Sequence, residues 1–257
     1  MAKNAKENTI ATPHFFDGNI KVGDMLTWSK LAGNGYINGC KGSCGEYCKG
    51  CYNPDDPYSS PCYVFKSYRQ YKDDVINPHI VNTRAIRTHL RETMEHLDGI
   101  LSRKRKVKPI RIHASGEIES TEELMEWMKL SKKHEAWPFY IYTKAEDYVD
   151  EALTKMAKEG YPTNFFINIS IWHENGIALY NKWKHLPFVR AYAYDDGYNY
   201  EAHGLKLDGY CPAYRKETKT LKSGKTVTKV VLKHDLTCDK CKLCFGEKAK
   251  VLGCLSH

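Results

Sequence analysis

Between residues 110 and 194 the apolar positions switch between two periods. Runs with period two predict strands at Ile110–Ala114, Phe139–Thr143, Phe165–Trp172 and Phe188–Tyr194. Runs with the helical period lie between them. Ser120 and Glu123 form a capping box before Leu124, Trp127 and Met128, and Val149, Ala152, Leu153 and Met156 mark a helix that Gly160 stops. Upstream, Met25–Trp28 reads as a short strand, and one helix is expected from Asn82 to about Arg103, with Ile86, Leu90, Leu97 and Leu101 on one face. Residues 1–24 show little periodicity and read as a polar arm. Downstream, Glu217–Leu221 and Thr226–Lys233 predict a hairpin that turns at Ser223-Gly224. Strands alternating with helices of this length imply a parallel sheet covered by helices.

The two faces of those strands differ. Ile110, Ile112, Phe139, Ile141, Phe165, Ile167, Ile169 and Ile171 share an apolar face for the helices to cover. The opposite face carries Arg111, His113 and Ser115; Tyr140, Tyr142 and Lys144; Asn168, Ser170 and Trp172; and Arg190, Tyr192 and Tyr194. Buried polar groups without partners cost roughly 1–3 kcal/mol each, so this face is expected to line a wet or ligand-filled space. The fold expected is α/β, a partial (β/α) TIM-like barrel with a polar lumen. Three parts follow: the arm at 1–24, a core at 25–203, and a small Cys-rich C-terminal lobe at 204–257.

Composition narrows the class. The chain has 257 residues, 42% hydrophobic and 27% charged, enough apolar material for a sizeable core. No apolar run approaches the roughly 18 residues of a membrane span. Met1–Thr12 lacks the apolar stretch of a secretory signal, so the protein is expected in the cytoplasm. Lys and Arg number 39 against 31 Asp and Glu, a net charge of +8, which makes a nucleic acid a candidate partner. The basic run Arg103–Lys106 reads first as a solvated helix end and second as a nucleic-acid contact.

Ten cysteines change the picture most. In a chain without a signal, tight clusters of thiols read as metal ligands and not as a disulfide framework. Cys44, Cys48 and Cys51 have the spacing C-x3-C-x2-C on a Gly-rich loop. Three such thiolates suit a 4Fe–4S cluster that keeps one iron open; Cys40 as a fourth would close it. Cys211-Pro212 with Cys238, Cys241 and Cys244 suits a second, closed 4Fe–4S cluster or a zinc ion that fixes the lobe. Cys62 and Cys254 are left as ordinary thiols.

The Cys-rich loop followed by strand–helix units resembles the radical SAM superfamily. Ser115-Gly116-Glu117 is similar to that superfamily's Gly-Gly-Glu stretch. A narrower resemblance, to the actinophage gene-product eighty-eight family, rests on Trp28-Ser29-Lys30-Leu31, Arg111–Glu117, Tyr142-Thr143-Lys144 and the closing cysteines. The wider resemblance implies a cluster on Cys44, Cys48 and Cys51 that binds S-adenosylmethionine. It implies contacts to that cofactor from Ser115, Gly116, Glu117, Asn168, Ser170 and Tyr52. It also implies an electron donor such as flavodoxin or ferredoxin.

The expected function is therefore reductive cleavage of S-adenosylmethionine, with hydrogen abstraction from an unassigned substrate, a nucleic acid or a peptide. His113, Tyr140, Tyr142, Lys144, Trp172, Arg190, Tyr192 and Tyr194 are the candidate substrate wall, and no catalytic residue is singled out among them. The rival reading is a nucleic-acid-binding protein stapled by iron–sulfur or zinc, without catalysis. Abundant tyrosine, which stacks on bases, supports it.

Overall fold

The computed structural model describes residues 12–19, 21–48, 62–195, 197–221, 223–233, 235–246 and 249–255, with the backbone alone at Cys48 and Leu232. The strands are β1 (Phe16–Asp17), β2 (Leu26–Thr27), β3 (Tyr36–Ile37), β4 (Cys40–Lys41), β5 (Ile110–Ile112), β6 (Phe139–Thr143), β7 (Phe165–Ile171) and β8 (Val189–Tyr194). They continue as β9 (Gly209–Tyr210), β10 (Tyr214–Thr220), β11 (Thr226–Leu232) and β12 (Val251–Cys254). The helices are α1 (Tyr63–Tyr71), α2 (Asp73–Thr88), α3 (Leu90–Arg103), α4 (Thr121–Lys133), α5 (Glu146–Glu159), α6 (Ile177–Trp183) and the single turn α7 (Cys238–Cys241).

Eight strands form one sheet in the order β1-β2-β5-β6-β7-β8-β12-β9. Every pairing in it is parallel except β1 with β2. The apolar strand face packs as expected. Ile110, Ile112, Phe139, Ile141, Phe165, Ile167, Ile169 and Ile171 join Leu97 and Leu101 of α3, Leu124 and Trp127 of α4, and Val149 and Met156 of α5 in the main core. A smaller core gathers Leu31, Ala32, Ile37, Cys40, Val64, Phe65, Tyr68, Ile76 and Ile80 under α1 and α2.

The eight strands form an open sheet whose edges are β1 and β9. The segment 243–246 packs on part of its polar face, touching Tyr140, Asn168 and Arg190. Three expectations are corrected. The helix from Asn82 to Arg103 is two helices, separated at His89 (φ −143°, ψ 55°). α2 buries Ile76 and Ile80 in the smaller core and only Ile86, near its end, in the main one, where α3 buries Met94, Leu97 and Leu101. The arm is not loose over residues 12–19, since Phe16 and Asp17 pair with β2 and Phe15 meets the Trp28 ring at 5.9 Å. Finally, the capping box is half made. Ser120 Oγ accepts the Glu123 amide at 3.1 Å, but the Glu123 carboxylate turns elsewhere.

The C-terminal region contributes to the same sheet. β12 lies between β8 and β9, pairing Val251–Cys254 with Ala191–Tyr194. The ribbon β10–β11 is a separate two-stranded sheet. No helix among the described residues is long and apolar enough to cross a membrane.

Candidate functional site

The carboxyl ends of β2, β5, β6, β7, β8 and β12 open onto one cavity of about 670 Å³. Ligands of open parallel sheets bind at this edge. Its walls include Arg111, His113, Ser115, Gly116, Glu117, Tyr140, Tyr142, Lys144, Ser170 and Tyr192 from the polar strand face. Cys44 and Cys62 line it on one side, and Cys211, Cys238, Cys241 and Cys244 on the other.

Local backbone chemistry holds the Cys44 side. Ser43 donates its amide and hydroxyl to the Leu31 carbonyl at 2.8 and 2.9 Å, and the Gly33 amide points at Cys44 Sγ at 3.2 Å. The Ser43 hydroxyl then accepts the Glu117 amide at 3.1 Å. Gly116 sits between these segments with φ 83°, and a Cβ there would lie 2.5 Å from Ser43 Oγ and 2.8 Å from Lys30 Cβ. Only glycine fits this left-handed, crowded position. The Ser115 hydroxyl donates to the Lys30 carbonyl at 2.9 Å.

Several predicted residues are occupied by the protein itself. Glu117 accepts from the Thr143 hydroxyl at 2.7 Å and from the amides of Lys144 and Ile118 at 2.9 Å each. Asn168 donates to the carbonyls of Ile141 and Cys244 at 3.1 and 3.2 Å. Arg190, expected to face the lumen, donates to the carbonyls of Leu243 and Ala249 at 2.9 and 2.7 Å and to that of Gly246. Asn168 and Arg190 thus anchor the C-terminal segment to the sheet and are not among the cavity-lining residues. Trp172 stacks on Tyr194 with ring centres 4.7 Å apart, and the Lys144 ammonium lies 4.2 Å above the Trp172 ring. Tyr142 meets Tyr192 edge-on at 4.8 Å, while Tyr140 packs on Phe245 at 4.9 Å.

The charged groups were only partly visible in the sequence. His113, with φ 50°, places Nε2 3.0 Å from Glu123 Oε1, and its Nδ1 has no partner. The fully buried Lys30 binds Glu123 at 2.7 Å and Glu119 at 3.0 Å. Burial pushes the Glu123 carboxyl up, but Lys30 and His113 outweigh it and hold it down to about 2. Arg111 reaches the ring of Tyr142 at 5.1 Å, and no carboxylate pairs with its guanidinium among the described residues. Burial lowers the pKa of Lys144, against the nearby Glu117 and Cys44. Arg111 alternates with His113 on the polar face, so its signal was present. Glu123 read as a helix cap and Lys30 only as part of the Trp28-Ser29-Lys30-Leu31 block. Cys62 had no spacing to mark it.

Four of the cavity thiols are shifted toward the protonated form. Burial raises Cys44 and Cys244 to about 12 and also raises Cys238 and Cys241; among the C-terminal thiols their neighbours add to the rise, while Arg111 opposes it at Cys238. Among the described residues no group of three or more His, Cys, Asp or Glu side chains is gathered as a metal site. The donor types nonetheless suit a thiophilic centre: Cys211, Cys238, Cys241 and Cys244 line the cavity with the half-buried guanidinium of Arg111, which would offset the negative charge that four thiolates bring. The Cys48 side chain, Cys51 and Tyr52 lie outside the described residues. Cys40 sits in the smaller core, with Arg87 Nη1 3.9 Å from its sulfur.

Comparison with known proteins adds one decisive observation. A family model described as gene product 88 matches residues 2–247. The chain belongs to the gene product 88 family. That match spans both cysteine groups and nearly all of the sheet, and it brings no support for the wider radical SAM superfamily. No curated protein and no solved structure matched the chain.

Proposed function

We propose that the protein is an iron–sulfur enzyme of radical SAM-like type, its open sheet acting as a partial barrel around the cavity. The observation that supports this best is convergence. Thiols from Cys44 and from Cys211, Cys238, Cys241 and Cys244, far apart in sequence, line one cavity at the carboxyl ends of parallel strands. Cys44, Cys48 and Cys51 would hold one cluster, and the four C-terminal cysteines a second cluster or zinc. When bound, a reduced open cluster supplies the electron that cleaves a sulfonium; the hard chemistry belongs to the cofactor.

The chain's own residues position and enclose. Tyr140, Tyr142 and Tyr192 present buried rings whose hydroxyls stay protonated, because burial raises each well above the ordinary phenol range. Arg111 and Lys144 offer positive charge to an anionic group in the cavity. His113, oriented through Nε2 by Glu123, lines the cavity with an Nδ1 that has no hydrogen-bond partner among the described residues.

Anaerobic reconstitution with iron, sulfide, dithionite and S-adenosylmethionine tests the reading. Wild type and Cys40→Ala should release 5′-deoxyadenosine, and Cys48→Ala should not. Cys241→Ala should lose the C-terminal centre and keep the other. Bound zinc alone, or loss of release in Cys40→Ala, would overturn the enzyme and favour a metal-stapled binding protein.

A further inference from the structure

The ribbon β10–β11 has two chemically different faces. Cross-strand partners share a face, and the register pairs Arg215 with Val231, Glu217 with Lys229, and Lys219 with Val227. Backbone bonds of 2.8 Å extend it to Ala213 with Lys233 and Leu221 with Lys225. These five rows make one face, and each row carries one cation: Lys233, Arg215, Lys229, Lys219 and Lys225 in spatial order. The cations alternate between the strands, giving a zigzag with rows about 6.8 Å apart over about 27 Å. The single carboxylate, Glu217, is taken by Arg215 at 2.5 Å, so the lysines have no acidic partner among the described residues. The other face is nearly neutral. It holds Thr218, Thr220, Thr226 and Thr228, and its one lysine, Lys216, turns toward Asp195 at 3.9 Å.

Two further features point to a partner. A two-stranded ribbon exposed on both faces has marginal stability alone, and this one has exposed side chains along almost its whole length. Its base is also part of the cavity rim, through Cys211, Pro212, Ala213 and Tyr214.

We infer that the lysine face of β10–β11 binds the phosphate backbone of double-stranded nucleic acid, next to the cavity mouth. A regular zigzag of five cations, with Glu217 as the one acidic residue of the face, complements a regular line of phosphates. The face carries no aromatic ring on which an unpaired base would stack, which favours a duplex over a single strand. It reads no sequence, because lysines and valines are its main components and phosphate contacts position without specifying. A β-ribbon also has the width that the major groove admits. The inference does not rest on the cofactor assignment.

The test measures fluorescence anisotropy of the full chain with a labelled duplex of roughly 25 base pairs as salt is varied. Two triple variants with the same change of charge are compared: Lys219→Gln, Lys225→Gln, Lys229→Gln on the ribbon, and Arg103→Gln, Lys104→Gln, Arg105→Gln on the basic run after α3. The ribbon variant should lose at least about tenfold in affinity, and its slope of log K against log salt should shrink by about three. The α3 variant should keep both. All substituted side chains are exposed, and unchanged circular dichroism should accompany the loss. Equal losses in both variants would reduce the effect to net charge and overturn the inference. So would an unaffected ribbon variant, a wild type that does not bind the duplex, or tighter binding to a single strand or to phosphatidylserine vesicles.

Discussion

Two cations, the buried Lys30 and the half-buried Arg111 of the cavity wall, have opposite consequences for stability. Lys30 is enclosed by Glu119 and Glu123, so Lys30→Met leaves a buried carboxylate without its counter-charge and should cost about 3–5 kcal/mol in urea melts. Arg111 has no acidic partner among the described residues, so Arg111→Met should leave the metal-free fold as stable as wild type or more so. The same variant should retain less iron after reconstitution. A metal-free Arg111→Met chain weakened as much as Lys30→Met would show that the guanidinium is structural. His79 gives a pH signature. Burial, with His14 adding to it, lowers its imidazole from 6.5 to about 4. Between those values the unfolded chain takes up a proton that the folded chain refuses. Its contribution is therefore complete above pH 6.5 and erodes by about 1.4 kcal/mol per pH unit as pH falls toward 4. Urea midpoints for His79→Gln should lack that part of the slope.

The helix α4 shows how an element can be legible while one of its residues is misread. Ser120 caps it as its position predicts, and Ser120→Ala should lower stability by about 1 kcal/mol at an unchanged m-value. Glu123, three residues on, has the spacing of a capping partner, yet its carboxylate serves Lys30, His113 and the Glu119 amide. Nothing local distinguishes those two uses, because Lys30 and His113 arrive from the loops after β2 and β5. The strands β5 to β7 are legible because one face repeats Ile and Phe with period two, and β8 because Val189, Ala191 and Ala193 alternate with polar residues. The break at His89 is not, since Ile86 and Leu90 keep helical spacing across it and both pack on the main core. The β10–β11 ribbon was found by its turn at Ser223-Gly224, where Gly224 has φ 77°. Its face asymmetry became visible only with the register.

At the scale of the molecule, the polar strand face divides between two uses: Arg111, His113, Tyr142, Lys144 and Ser170 line the cavity, while Asn168 and Arg190, whose polarity suggested a lumen, clasp the carbonyls of the C-terminal segment. Sequence alone could not tell a side chain awaiting a ligand from one awaiting its own backbone. The order of strands across the sheet has a consequence in time. β9 pairs only with β12, and it sits beyond it at the edge, although it leaves the ribosome some forty residues earlier. Until β12 emerges, β8 presents its open edge to every other nascent chain, and Cys211, bonded through its amide to Gly253, has no fixed place. The thiol wall of the cavity is thus completed last, after the rest of the sheet, so a cofactor delivered during synthesis would meet the Cys44 side alone.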